Sequence, residues 1–134
     1  KNALGLTFTN ATSYPSDPSS DAVGNPMPSA TVCLWNGGNT VTLDVLAAKN
    51  YTSVSFYTCN ASIFVDITFF DNAGNSALVQ TVSTGGNWVW SSQQNYVVGA
   101  GFLAPLTGPI TKITFAPHSA GYEFFVDDLR LWGV

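Results

Sequence analysis

Short runs in which apolar and polar residues alternate recur along most of this 134-residue chain. In the clearest run every second residue is large and apolar: Ile63, Val65, Ile67 and Phe69. Side chains of a β-strand point alternately to two faces, so this period predicts strands with one buried face. No stretch keeps helical spacing for more than about one turn, so we expect an all-β fold.

Turn-forming residues divide the alternating runs into about eight predicted strands. We expect them at 41–45, 54–57, 63–70, 77–82, 88–90, 96–98, 110–115 and 122–132. Short strands at this spacing indicate a sandwich or a barrel. The proline-rich segment 11–29 lacks periodicity, which predicts a long loop or arm on a single domain of residues 1–134.

Charged residues are scarce: 9% of the chain, against about 25% in an ordinary globular protein. The net charge is −4 and the basic residues are scattered, which argues against nucleic acid as a partner. So little charge favours self-association or a glycan coat. No apolar run reaches the roughly 20 residues that span a membrane. No leader precedes residue 1, so we expect the mature form of a secreted protein.

Two features fit an extracellular location. Cys33 and Cys59 are expected to form a disulfide bond in an oxidising compartment, contributing about 3–4 kcal/mol, with two buried thiols as the alternative. Asn10, Asn50 and Asn60 begin Asn-X-Ser/Thr sequons and are candidate N-glycosylation sites.

The sequence argues against catalysis. Its single histidine, His118, lies in a predicted turn, and no Gly-X-Ser-X-Gly nucleophile pattern accompanies it. A glycosidase needs two facing carboxylates in a cleft, which a small sandwich seldom forms. We therefore predict that the protein is not an enzyme.

The last predicted strand raises a question about Asp127. Four of its residues share one parity: Phe125, Asp127, Leu129 and Leu131. If the leucines face the core, Asp127 faces inward as well, which requires a cation, several backbone N–H donors, or a bulge that turns it outward. Calcium accepts carboxylate and carbonyl oxygens, so Asp127 is predicted as either a structural calcium ligand or a hydrogen-bonded structural residue.

The ending Phe-Phe-Val-Asp-Asp-Leu-Arg-Leu at 124–131 resembles the last strand of small secreted jelly-roll modules. Such modules occur in PEP-CTERM-type proteins and among calcium-stabilised carbohydrate-binding modules. Segments 64–75 and 112–115 are similar to the central hairpin and penultimate strand of these modules. The resemblance covers roughly residues 30–132 and implies an antiparallel two-sheet jelly-roll sandwich. It also implies a calcium-holding role for Asp127.

Trp88 and Trp90 are two residues apart and are predicted to project from one face of a strand, where Tyr57, Tyr96 or Tyr122 could join them. Aromatic faces stack on the apolar side of sugar rings. The pair could therefore form a glycan platform, contact another subunit, or belong to the core.

Two functional hypotheses follow. The first is a non-catalytic extracellular structural protein, a self-associating glycoprotein subunit of a filament, tube or sheath whose partners are copies of itself. The alternative is a lectin-like carbohydrate-binding module, stabilised by calcium, with a polysaccharide partner.

Overall fold

The computed structural model describes residues 4–14, 33–60, 64–81 and 88–133. Within these ranges, no helix is long and apolar enough to cross a membrane. Short 3₁₀ turns occur at Ala47–Lys49 and Gly101–Leu103. The strands are β1 (Leu6–Thr9), β2 (Thr12–Tyr14), β3 (Cys33–Trp35), β4 (Val41–Val45), β5 (Ser53–Asn60), β6 (Val65–Asp71), β7 (Ser76–Thr81), β8 (Val89–Trp90), β9 (Gln94–Val97), β10 (Ile110–Pro117) and β11 (Phe124–Trp132).

The strands form two antiparallel sheets. Sheet A has the order β1-β4-β10-β6-β7, and sheet B has the order β2-β3-β11-β5-β8, with β9 also paired to β5. Alternation sets the inner faces: along β6, Val65, Ile67 and Phe69 are buried and the residues between them are not. The inner faces meet in one core, so the prediction of an all-β, two-sheet sandwich is confirmed.

The core combines aromatic and branched side chains from both sheets. Phe56 of sheet B meets Phe115 of sheet A edge-on, with ring centroids 5.5 Å apart. Tyr96 stacks on Phe56 at 5.8 Å and is part of this core, so it does not join the tryptophans. Burial raises the pKa of Tyr96 to about 12.

A β-bulge in β11 decides where Asp127 points. Between its pairs at Asp127 and Arg130, β11 has one residue more than β5. Asp128 takes the extra position with a φ of 50°. Leu129 and Leu131 therefore pack against the core, while Asp127 lies on the opposite, outer face of sheet B. The assumption that Asp127 shares the leucines' face is wrong, and the bulge alternative is what the structure shows.

The predicted turn between β6 and β7 is organised by one buried carboxylate, Asp71, which is 6% exposed. Its Oδ1 accepts backbone N–H bonds from Ala73 at 2.9 Å and Asn75 at 2.8 Å. Its Oδ2 accepts the Asn75 side-chain amide at 3.0 Å and the backbone N–H groups of Thr107 at 2.8 Å and Gly108 at 3.1 Å. Asp71 thus ties the turn to the loop that precedes β10.

The N-terminal region differs in part from the prediction of a loop at 11–29. Thr12–Tyr14 form β2, which pairs antiparallel with β3 at the edge of sheet B. The pairing places Thr12 opposite Trp35, and Tyr14 opposite Cys33. Three consecutive residues give no alternation long enough to recognise, so the strand depends on its partner. The rest of the predicted arm, 15–29, lies outside the described residues.

The structure does not form the predicted disulfide bond. Cys33 on β3 and Cys59 on β5 are both buried and face the same side of sheet B, but β11 lies between their strands. Two strand spacings separate their Cα atoms by roughly 10 Å or more, beyond the ~7 Å that a disulfide can bridge. Phe125 of β11 packs in the cluster that contains both cysteines.

Candidate functional site

The outer face of sheet B carries a second apolar cluster, separate from the core. Its buried members are Cys33, Cys59, Trp90 and Phe125, and partly buried aromatic residues pack around them: Tyr14, Trp35, Tyr57 and Trp88. The strand pairings explain this grouping, because Phe125 lies opposite Trp35 on one side and Cys59 on the other, and Cys59 lies opposite Trp90. Tyr14 on β2 lies opposite Cys33, so five adjacent strands bring the members of the cluster together.

The two tryptophans share this cluster but differ in exposure. Trp90 is 0% exposed, so it cannot stack on a sugar in this structure, whereas Trp88 remains partly exposed. Ser91 anchors the strand that bears them, since its N–H donates to the Thr58 carbonyl at 2.8 Å and its Oγ accepts the Thr58 N–H at 3.0 Å. The prediction that both tryptophans face one way agrees with the cluster; whether Trp88 contacts glycan or another subunit remains a prediction.

Trp88 has an unusual backbone. Its φ is +53°, which lies in the left-handed region of backbone conformation that residues other than Gly and Asn seldom adopt. Such a conformation costs on the order of 1–3 kcal/mol and tends to persist at functional sites. Its indole meets the Phe125 ring at an interplanar angle of 64° and a centroid distance of 5.7 Å. The strained residue thus holds its ring against the buried cluster.

An aromatic pocket opens beside Trp88. It has a volume of about 210 Å³ and is lined by Tyr14, Trp88, Phe125 and Glu123. Phe125 is the buried floor; the Tyr14 ring stands at 63° to it, with centroids 4.8 Å apart, nearly the same inclination as Trp88. Two aromatic walls and one carboxylate therefore surround this opening.

The carboxylate is positioned by its neighbours. Glu123 lies two residues before Phe125, and Trp35 Nε1 donates to Glu123 Oε1 at 3.1 Å. Asn36, which is buried, fastens this corner: its Nδ2 donates to the Tyr122 carbonyl at 3.0 Å and its Oδ1 accepts the Phe124 N–H at 2.8 Å. The start of β11 is thereby fixed to the end of β3.

Asp127 lies farther along the same face and is 5% exposed. It lines a separate cavity of about 200 Å³ together with Cys33 and Asp128. Asp128 is engaged by Arg130, whose Nε lies 2.9 Å from its Oδ1. Across the described ranges, no group of three or more His, Cys, Asp or Glu residues could hold a metal ion. Calcium binding by Asp127 therefore remains a prediction.

Calcium binding is testable by thermal melting. If Asp127 holds calcium together with carbonyl oxygens, a chelator should lower the melting temperature of wild-type protein by several degrees, and Asp127→Asn should lose most of that response. Asp44→Asn, an exposed substitution on sheet A, is the control. Identical wild-type melting curves with and without chelator would remove calcium from this site.

The remaining predicted residues lie elsewhere. His118 is exposed and its Nδ1 is 3.0 Å from Asp66 Oδ2, on the outer side of sheet A. Asn10 and Asn50 are exposed and both have a φ of 62°. The Asn60 side chain lies outside the described residues, and Tyr122 is exposed in the turn before β11. Glycosylation at the sequons stays a prediction.

No protein-family model and no curated protein matches the chain. Several solved structures are similar. The carbohydrate-binding module TmCBM61, in complex with β-1,4-galactotriose, has a TM-score of 0.56 and 16% identity over 96% of this chain and 88% of that one. A family 11 carbohydrate-binding module from Clostridium thermocellum, in complex with a β-1,3-1,4-mixed-linked tetrasaccharide, has a TM-score of 0.51 and 10% identity over 98% of this chain and 91% of that one. The K1 cleaved adhesin domain of Lys-gingipain from Porphyromonas gingivalis W83 has a TM-score of 0.51 and 9% identity over 96% of this chain and 98% of that one.

At these identities the likeness concerns the fold. It confirms the prediction of a jelly-roll sandwich and, for the fold, the resemblance to carbohydrate-binding modules. The resemblance to PEP-CTERM-type proteins is not tested by these structures. Sequence reasoning did not find Tyr14, Trp35, Phe125 or Glu123, because they lie on strands that are distant in sequence and adjacent only in sheet B.

Proposed function

We propose that this protein is a secreted, non-catalytic carbohydrate-binding module and that the outer face of sheet B contacts the glycan. The observation that carries the proposal is the aromatic pocket, in which partly exposed Tyr14 and Trp88 rise from a buried Phe125 floor. The likeness to glycan-bound modules supports this alternative more than the filament-subunit hypothesis. Self-association remains an untested prediction.

The geometry suits a pyranose ring. The C–H face of a sugar packs on an aromatic π-face, and the hydroxyl groups at its rim need polar partners. The inclined rings of Tyr14 and Trp88 offer the apolar surface, and the exposed carboxylate of Glu123 offers an acceptor. The two similar modules are in complex with β-1,4-galactotriose and with a β-1,3-1,4-mixed-linked tetrasaccharide, so β-linked oligosaccharides are the first ligands to test.

Trp88→Ala should weaken glycan binding at least about tenfold, because a central, partly exposed tryptophan supplies much of the contact energy in sites of this kind. Isothermal titration with β-1,4-galactan and mixed-linked β-glucan oligosaccharides measures the affinity. Phe102→Ala is the matched control, because it removes an aromatic ring that is 71% exposed in the 3₁₀ turn after β9.

Far-UV circular dichroism and melting curves of both variants establish that they remain folded. Equal affinity of Trp88→Ala and wild type for a bound glycan would place the binding surface elsewhere. Absence of binding to any polysaccharide in a wide screen would refute the proposed function itself.

A further inference from the structure

The aromatic pocket has the composition of a site for an organic cation. Aromatic rings attract an ammonium group through the negative potential of their faces, and a carboxylate beside them adds a full opposite charge. Tyr14 and Trp88 stand at 63° and 64° to the Phe125 ring, and Glu123 completes the lining. Three rings and one acid therefore converge on one opening of about 210 Å³.

We infer that the aromatic pocket takes an amine-bearing sugar unit, so that the preferred ligand is a glycan containing glucosamine with free, protonated amines. The inference rests on the proposed carbohydrate binding and specifies its ligand. An uncharged sugar would stack on the rings and use the carboxylate only as a hydrogen-bond acceptor, whereas a protonated amine would also be attracted by its full negative charge. An acidic sugar would be repelled by it.

Glu123 is prepared for such a ligand. Trp35 Nε1 donates a hydrogen bond to Glu123 Oε1, and among the described residues none donates to Oε2. The indole N–H holds the carboxylate in one orientation, which limits the side-chain entropy lost on binding. Because Glu123 is exposed at the rim, it can meet a cation without the desolvation cost of a buried charge.

None of the described basic residues lies where it would neutralise the negative charge of Glu123. Lys112 lies on the outer face of sheet A, 5.5 Å from the centroid of the Phe70 ring. Arg130 is paired with Asp128, and Lys49 lies in the 3₁₀ turn after β4. With a net charge of −4 over the whole chain, the long-range field also favours a polycation over a polyanion.

The test compares three β-1,4-linked oligosaccharides of equal length, built from glucosamine, N-acetylglucosamine or glucose. In a mildly acidic, low-salt buffer that keeps the amines protonated, wild type should bind the glucosamine oligomer about tenfold more tightly than either neutral one. Added salt should reduce this ratio, because screening weakens the ionic part. Free choline should compete with the glucosamine oligomer for the pocket.

The selectivity ratio should fall severalfold in Glu123→Gln, which keeps an acceptor for Trp35 but removes the charge, and the part that remains should come from the aromatic rings. Asp44→Asn makes the same charge change on sheet A and should keep the ratio. Trp88→Phe keeps a ring in the wall and should retain more of the ratio than Trp88→Leu does. Melting curves verify that each variant is folded.

The failures are distinguishable. If wild type binds neutral and amine-bearing oligomers equally, or if Glu123→Gln keeps the full ratio, the cation inference is overturned while carbohydrate binding stands. If none of the three oligomers and no other polysaccharide binds, the proposed function itself fails. Binding of glucosamine oligomers that is indifferent to Trp88→Leu also overturns the inference.

Discussion

Trp90→Ala is expected to destabilise this protein by about 3–5 kcal/mol, the usual cost of replacing a buried tryptophan by alanine. Trp90 is 0% exposed and is the largest fully buried side chain among the described residues. It packs with Cys33, Cys59 and Phe125 on the outer face of sheet B. Truncation would leave a cavity that these strands, tied by their hydrogen bonds, can only partly close.

The loss is a large fraction of the roughly 5–15 kcal/mol that keeps a domain folded. We expect the melting temperature to fall by roughly 10–20 °C, measured by circular dichroism or calorimetry. Trp132→Ala is the matched control, because Trp132 is 46% exposed on the same face and its removal should shift the melting temperature by no more than a few degrees.

A variant at Trp90 is therefore a poor test of glycan recognition, because a weaker binding could not be separated from the destabilisation of the fold. Trp88 is the residue to change for that purpose. A Trp90→Ala protein that melts within a few degrees of wild type would show that the second cluster contributes little to the fold.

The sequence predicted the fold class because one physical signal dominates it. A period of two over β4 and β6 buries every second side chain, and the burial along β6 follows it residue by residue. The turn at 71–75 was predictable because Gly74 takes the φ of +87° that other residues avoid. The sequence did not predict β1, β2 and β3, because strands of only three or four residues are too short to show an alternation.

The strict alternation of faces that we assumed for β11 is broken at one position. Nothing in the letters Val-Asp-Asp-Leu marks the extra residue at Asp128, because a bulge depends on how two strands register. Beyond the bulge the leucines face the core, and before it Asp127 and Phe125 share the outer face. For the same reason the alternation pattern placed Phe125 on the face of the leucines, so it did not predict that Phe125 forms the floor of the aromatic pocket.

The site was only partly predictable for a related reason. Trp88 could be singled out because tryptophan is rare and its spacing to Trp90 puts both on one face. Their different exposure depends on neighbours that the local sequence does not specify. The position of Trp35 beside Glu123 requires β3 to pair with β11, a contact across 88 residues that a local pattern cannot reveal.

Asp71→Asn is expected to lower the melting temperature by more than about 5 °C, because it disrupts the hydrogen bonds that join the β6–β7 turn to the loop before β10. Asparagine has the same shape but only one acceptor oxygen. Its amide N–H₂ would face the backbone N–H groups either of Ala73 and Asn75 or of Thr107 and Gly108. Asp44→Asn, at an exposed position on β4, should leave the melting temperature nearly unchanged.

The effect should also depend on pH. Burial raises the pKa of Asp71, but the hydrogen bonds, led by the Thr107 N–H, outweigh it and hold the pKa well below its usual range. A carboxylate whose pKa is lowered by folding stabilises the protein fully above its unfolded value, about 3.9, and loses that contribution as the pH falls toward the folded value. The gap in melting temperature between wild type and Asp71→Asn should therefore be constant near neutrality and shrink below about pH 4. A gap that is the same at neutral and strongly acidic pH would show that the ionised form of Asp71 is not what holds the turn.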